Sequence, residues 1–269
     1  GLDLQTNMMA ARKPGFKAVA LPYKVTAGIK NEIRTNVSKN VVAMIPGTDQ
    51  KDEYIIFSAH WDHLGIGAVV DNDSIYNGAR DNSTGSAALL AIAEAMMKEG
   101  PYKRSIVFLW VTAEEQGLLG SAYYAANPIF PPAKTVANIN IDGMAAYGEM
   151  NDLSIIGFGQ SEMETYAAKA AEQQNRYILP DQEPEKGYFF RSDHFNFAKI
   201  GIPALYAHGS FDHRTKGKEY AKEKSDEYRS TAYHLPADEY IEGTFELSGI
   251  VQDATLFYSV AKELANTKD

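Results

Sequence analysis

Glu114 and Glu115 stand side by side directly after the apolar run Ser105 to Thr112. Neighbouring carboxylates taken out of water together must protonate or find a cation. With a cation present, one of the pair can ligate it while the other acts as general base and then proton donor to an activated water. The plain alternative is an exposed pair opening a helix, where acids favour the positive end of the dipole. A second apolar run, Tyr54 to Ala59, leads straight into His60-Trp61-Asp62-His63. A neutral imidazole ligates metal well when its other ring nitrogen is held, and a carboxylate two residues on, Asp62, is a usual holder of His60. His63 reads as structural or as support for a ligand, because a strand end turns residues 60 and 62 the same way.

Three further residues complete the set. Asp81 opens Asp81-Asn82-Ser83-Thr84-Gly85 before an apolar helical stretch; it suits a helix cap, and its two oxygens also suit a bridge between two cations. Asp142 follows the run Val136 to Ile141, and His234 lies far along the chain in Ala232-Tyr233-His234-Leu235-Pro236. Alone, each has an ordinary reading as a turn or surface residue. Together, two imidazoles and three carboxylates can give each of two metals one imidazole, one carboxylate of its own and one oxygen of a shared bridge. That leaves a position open on each, as catalytic zinc requires, and nitrogen and oxygen donors suit Mn or Co as well.

The elements that must position these residues read as α/β. From Asn40 onward short apolar runs alternate with longer amphipathic ones, the pattern of a mixed, mostly parallel central sheet with helices on both faces. Strands are expected at Val41–Ile45, Tyr54–Ala59, Ser105–Thr112, Val136–Ile141, Leu153–Gly157 and Ile202–Ala207. Helices are expected at Ser83–Lys98, Gln116–Ala126, Glu162–Asn175 and Phe245–Ala265, with a short one at Phe195–Lys199. The candidate residues then fall at the carboxyl ends of strands, where open α/β sheets bind ligands. Residues 1–38 read as a leader packing on the catalytic body, 39–269, with an alternating stretch near Val25 to Val37 as an edge strand. The Lys/Glu-rich stretch from Lys216 to Lys224 reads as a solvated excursion. Tyr188, Phe189, Phe190 and Arg191 lead into Ser192-Asp193-His194, and Tyr188, Arg191, Asp193 and His194 are candidates to line a substrate pocket; Asp193 could equally cap the short helix.

Bulk composition narrows the classes. The chain has 269 residues, 45% hydrophobic, enough for one sizeable core. With 26 basic against 35 acidic residues and a net charge of −9, it has no dense basic run, which argues against nucleic acid as a partner. No stretch of 18 or more apolar residues spans a membrane. The absence of cysteine removes disulfides and thiolate sites and leaves His, Asp and Glu as the strong ligands.

In order, the segments SAHWDHLG, GARDNSTGSAAL, TAEEQGLLGS, NINIDG, RSDHFNFAKIGIPAL and AYHLPADEY resemble the motifs of the co-catalytic dizinc exopeptidases, a family that includes secreted bacterial leucine-type aminopeptidases and glutamate carboxypeptidase. The resemblance covers residues 40 to 265. It implies the zinc exopeptidase fold, a hydrolase-like three-layer sandwich, and two zinc ions: His60, Asp81 and Asp142 on one, Asp81, Glu115 and His234 on the other. Glu114 would be the base, Asp62 the support of His60, and the Asp81–Asn82 peptide cis. The implied activity is hydrolysis of peptide bonds at a chain end, with peptides or N-terminal amino acids as substrates and an aminopeptidase favoured over a carboxypeptidase. It also implies a longer parent chain before Gly1 and a periplasmic or extracellular address. Two rivals share the architecture: a single-zinc glutaminyl cyclase, and a non-catalytic binding module like the transferrin receptor ectodomain, which has lost its metal residues. All five ligand positions are filled here.

Overall fold

The computed structural model describes residues 3–33 and 35–267, in two compact units, 1–37 and 38–269. In the first unit, one helix, α1 (Leu4–Ala11), is capped by Asp3, whose Oδ2 accepts from Thr6 N at 2.9 Å. The alternating stretch at residues 25–33 and 35–37 forms no strand. A period-two pattern becomes a strand only where a ladder partner takes its N–H and C=O groups, and among the described residues this unit contains no strand to serve as one.

The second unit runs β1 (Val41–Ile45), β2 (Gln50–His60), β3 (Gly65–Val70), β4 (Asp73–Tyr76), α2 (Thr84–Glu99), β5 (Arg104–Val111), α3 (Leu119–Ala126), β6 (Thr135–Asn140), β7 (Asp152–Ile155), α4 (Met163–Gln173), β8 (Tyr177–Pro180), α5 (His194–Lys199), β9 (Ala204–His208), α6 (Gly217–Thr231) and α7 (Ser248–Asn266). Seven strands make one mixed sheet in the order β1-β5-β2-β6-β9-β7-β8. The centre, β5-β2-β6-β9, is parallel, while β1 on β5 and β7 on β9 are antiparallel.

The central strands are buried on both faces, as their continuous apolar runs require. Ile55, Phe57 and Ala59 of β2 and Ile106 and Phe108 of β5 turn to one side, where α2, α4 and α7 cover them with Leu89, Ile92, Ala167, Leu256 and Phe257. The alternate residues Ile56, Val107, Leu109 and Val111 turn to the other, against Tyr124 of α3 and Phe197 of α5. Each such side chain contributes about 1.5–3 kcal/mol on burial, and a one-residue slip of β2 would turn every side chain, His60 included, to the opposite face.

Several elements of the second unit lie outside the sequence expectation. The β3–β4 hairpin turns at Asp71-Asn72, both in the left-handed region (φ 49° and 69°), a turn type that Asn and Asp tolerate. The short β8 pairs with β7 at the sheet edge. Helix α6 replaces the solvated excursion expected at Lys216 to Lys224; it buries only Ala221 and carries Lys222–Asp226 and Lys224–Glu227 pairs along its surface. Helix α3 begins at Leu119 instead of Gln116, because Gly117 and Leu118 take positive φ in a turn that bonds back to Glu114 O.

One buried polar cluster is architectural. Asp152, fully buried, accepts the N–H groups of Ser210, Phe211 and Asp212 at 2.7–3.2 Å. Asp253 accepts Gly209 N at 3.1 Å and pairs with Arg176 at 2.7 Å. Arg176 also donates to Asp152 O. The loop after β9 is thereby pinned to α7 and β7.

Candidate metal centre

The site gathers at the carboxyl ends of β2, β5 and β6. His60 ends β2 and is 1% exposed. Its Nε2 lies 3.2 Å from Asp81 Oδ1 and 3.3 Å from Asp142 Oδ1. Its Nδ1 meets the carbonyl oxygen of Asp62 at 3.1 Å, while the Asp62 carboxylate stands 3.9 Å away. That carboxylate instead accepts the backbone N–H groups of Glu114 (3.0 Å) and Glu115 (3.3 Å), fixing the turn that presents both acids. Asp62 therefore touches His60 through its backbone and the two glutamates through its side chain.

Asp81 sits in a kinked segment, residues 79–83, before α2; Asp81 (φ −114°, ψ 87°) and Asn82 (φ −137°, ψ 42°) are non-helical, and the Asp81–Asn82 peptide is cis. One of its oxygens faces His60; the other, Oδ2, lies 3.3 Å from His234 Nε2. The segment is anchored by Asp238, whose carboxylate accepts Arg80 N (2.9 Å) and Asp81 N (3.1 Å) and whose carbonyl accepts Ala79 N. Asn82 ties it to the end of β6 by donating to Ile141 O, and its Oδ1 accepts Gly85 N at the start of α2. Glu115 offers Oε2 to His234 Nε2 at 3.0 Å and Oε1 to His63 Nδ1 at 2.7 Å. Asp142 Oδ2 accepts from Ser192 Oγ at 2.6 Å, at the end of a buried relay in which Asn140 donates to Ser192 and Ser58 to Asn140.

His60, Asp81, Glu114, Glu115, Asp142 and His234 thus converge. Donor atoms of His60, Asp81 and Glu115, and of His60, Glu114 and Asp142, lie within 4.8 Å of one another. Among the described residues no Lys or Arg pairs with any of the four carboxylates; the imidazoles are their counter-charges. Burial and the Asp142 charge push Glu114 up to about 9. Contacts with Asp81 and Glu115 hold His234 up to about 10. Burial alone would lower His60, but the Asp142 and Asp81 carboxylates raise it well above its ordinary value. Asp81 and Glu115 are pushed up by burial, yet the imidazoles beside them draw both below the usual carboxylate range. Such a set is short of positive charge, and its nitrogen and oxygen donors fit zinc, or Mn or Co, at both imidazoles.

The substrate candidates divide. Tyr188 is half-buried in a short 3₁₀ turn, with Arg191 exposed and its guanidinium 5.6 Å from the Tyr188 ring centre. Asp193 and His194 are buried. The Asp193 side chain does not cap α5; burial pushes its carboxyl up to about 7. His194 packs between Phe189 and Tyr206. Asp238 and Ser192 emerge as site supports that periodicity does not reveal; their one signal is that each lies inside a segment already marked by a candidate, His234 or Asp193.

A mixed α/β sheet that brings imidazoles and carboxylates together at the ends of its strands defines a metal-dependent hydrolase. Residues 40–256 match the model of peptidase family M28. The chain belongs to that family of metallopeptidases. It is 33% identical over 164 residues to the mouse aminopeptidase NAALADL1, a match spanning 52% of this chain and 20% of the mouse protein. It is 31% identical over 142 residues to a glutamate carboxypeptidase 2 homolog of Caenorhabditis elegans, over 51% of this chain and 17% of that one. The chain thus matches about a fifth of the length of these relatives. Among solved structures, the zinc aminopeptidase BSAP of Bacillus subtilis superposes with a TM-score of 0.63 at 22% identity, over 86% of this chain and 51% of that one. Among the described residues no helix is long and apolar enough to cross a membrane.

Proposed function

We propose that this chain hydrolyses peptide bonds at a chain end, as an aminopeptidase, with two zinc ions. The observation that carries the reading is Asp81, which turns one oxygen to each of two imidazoles, His60 and His234. His60 and Asp142 would hold one ion and His234 and Glu115 the other, with Asp81 between them. Bound there, the ions supply the positive charge that polarises a scissile carbonyl and acidifies water. Glu114, held by its backbone N–H on Asp62, takes the proton from the attacking water and delivers it to the leaving amine nitrogen. Its high proton affinity suits the delivery, and cations next to it lower that affinity toward the working range.

A carboxypeptidase is the second reading, favoured by Arg191. It is exposed, stacked on Tyr188 and without an acidic partner among the described residues, so it is free to meet a terminal carboxylate. The filled donor set supports neither the single-zinc cyclase nor a module without metal. The motif resemblance supports a periplasmic or extracellular address, to be checked by fractionating the source cells. The deciding experiment is zinc content by mass spectrometry, paired with hydrolysis of aminoacyl anilides and of N-blocked dipeptides before and after chelation. Two zincs per chain with chelator-sensitive anilide cleavage is the expected result. Cleavage of the N-blocked dipeptides alone selects the carboxypeptidase, and no metal uptake overturns the reading.

A further inference from the structure

His63 has no part in the donor set above, yet its side chain is only 6% exposed and its Nδ1 lies 2.7 Å from Glu115 Oε1. The other Glu115 oxygen is the one turned to His234. The ring is seated from two sides. It meets His234 edge to face, with centroids 5.6 Å apart. On its other flank lies Gly78, where a Cβ would come within 2.5 Å of His63 Cγ and would also strike the Asp81 carbonyl. Gly78 has φ 63°, so its place suits glycine on conformational as well as steric grounds.

An ionised carboxylate only accepts, so the hydrogen in the contact belongs to His63 Nδ1. Its Nε2 is buried with no hydrogen-bond partner among the described residues, so the Glu115 contact is the one polar tie of the ring. A glutamate carboxylate otherwise rotates freely about its last torsion. Tying one oxygen leaves the second with a single direction, toward His234.

We propose that His63 is a positioning residue for Glu115: by holding Oε1 it aims Oε2 at the metal position shared with His234 and Asp81, and so sets the affinity of one of the two ions and not the other. This inference rests on the two-metal reading above. It predicts an asymmetry, because the His60–Asp142 side has its own holder, Ser192 on Asp142 Oδ2.

The test is titration of the metal-free protein with Zn²⁺ by calorimetry and with Co²⁺ by visible absorption, for the wild type and for His63→Leu, His63→Asn and His63→Gln. The Asn amide nitrogen reaches the place of Nδ1, whereas that of Gln overshoots it. His63→Leu and His63→Gln are expected to weaken one ion by about 10–100-fold, the usual size for a lost ligand support. The other ion should keep wild-type affinity, and His63→Asn should restore most of the loss. Three results overturn the inference: His63→Leu binding both ions as the wild type does, both ions weakening alike, or Asn doing no better than Gln. A wild type that takes up only one ion sinks the two-metal reading itself, and this inference with it.

Discussion

Two groups of buried carboxylates in this molecule have opposite partners. Asp152 and Asp253 receive backbone N–H groups from four successive residues, 209–212, and the guanidinium of Arg176. Their charge is met by groups that cannot titrate at neutral pH. Among the described residues Asp81, Glu115 and Asp142 are paired with imidazoles alone, those of His60, His63 and His234, and the surplus shows in Glu114, which burial and its neighbours keep protonated up to about 9. The first group is met by the protein's own donors, although burial still raises Asp152 above the usual carboxylate range. On the proposed reading the second is completed from outside, by metal. Burial of acids by itself therefore does not mark a functional site; the identity of the counter-charge does.

Glu114→Gln presses this contrast hardest. In the metal centre it should lower kcat by about 10²–10⁴-fold, the usual size for a general base. Zinc content should be unchanged and the metal-free protein no less stable, since the acid is already neutral there. Normal turnover would mean that base and ligand are assigned the wrong way round. Arg176→Met should do the reverse, destabilising the fold by about 3–5 kcal/mol through a buried, unpaired Asp253 while the folded fraction takes up zinc as before. Denaturant melts with metal counts on both variants decide it.

Chelation is the next probe. Removing zinc should lower stability by about 4 kcal/mol per ion when free zinc had exceeded its dissociation constant a thousandfold. Arg176→Met and the wild type should lose equally, because the clusters share no partner. The pH dependence follows from the raised imidazoles. A group raised to about 10, as His234 is, carries its proton at neutral pH and must lose it to ligate. Zinc uptake should release protons, and affinity should climb with pH until His234 titrates, by about tenfold per unit for each proton displaced. Calorimetry in buffers of different ionisation enthalpy measures the release; uptake without it would mean that the imidazoles are not ligands. The smallest effect is Gly85→Ala, whose Cβ would come within 2.5 Å of Ile141 O; about 1–3 kcal/mol of destabilisation is expected.

Much of the metal centre is legible in the chain because apolar runs end on it. Tyr54–Ala59 before His60 and Ser105–Thr112 before Glu114 are strands buried on both faces, and acids at such ends stand out against their surroundings. The hairpin Gly65–Tyr76 is not legible in the same way: its strands are short and largely exposed, and Asp71-Asn72 is a weaker turn mark than an Asn-Gly pair. Helix α6 escapes because a helix that buries only Ala221 leaves no apolar stripe. Supports such as Ser192 and the side chain of Asp62 are invisible for another reason. Their roles depend on what lies opposite across the sheet, and a serine or a second acid near a ligand has many ordinary uses.

Asp238 has a consequence for the order of events during synthesis. The residue that fixes Ala79, Arg80 and Asp81 is made 157 positions after Asp81 and four after His234. At ordinary elongation rates that is an interval of about 8–30 s in which the first donors exist without their anchor. The nascent chain can pair β2, β5 and β6 in that time, but neither the anchor of Asp81, nor His234, nor the α7 cover of the core can be in place. On the proposed reading, metal loading would be a closing act of biogenesis, and a chain cut short before residue 238 would lack both the α7 share of the core and the anchor of Asp81.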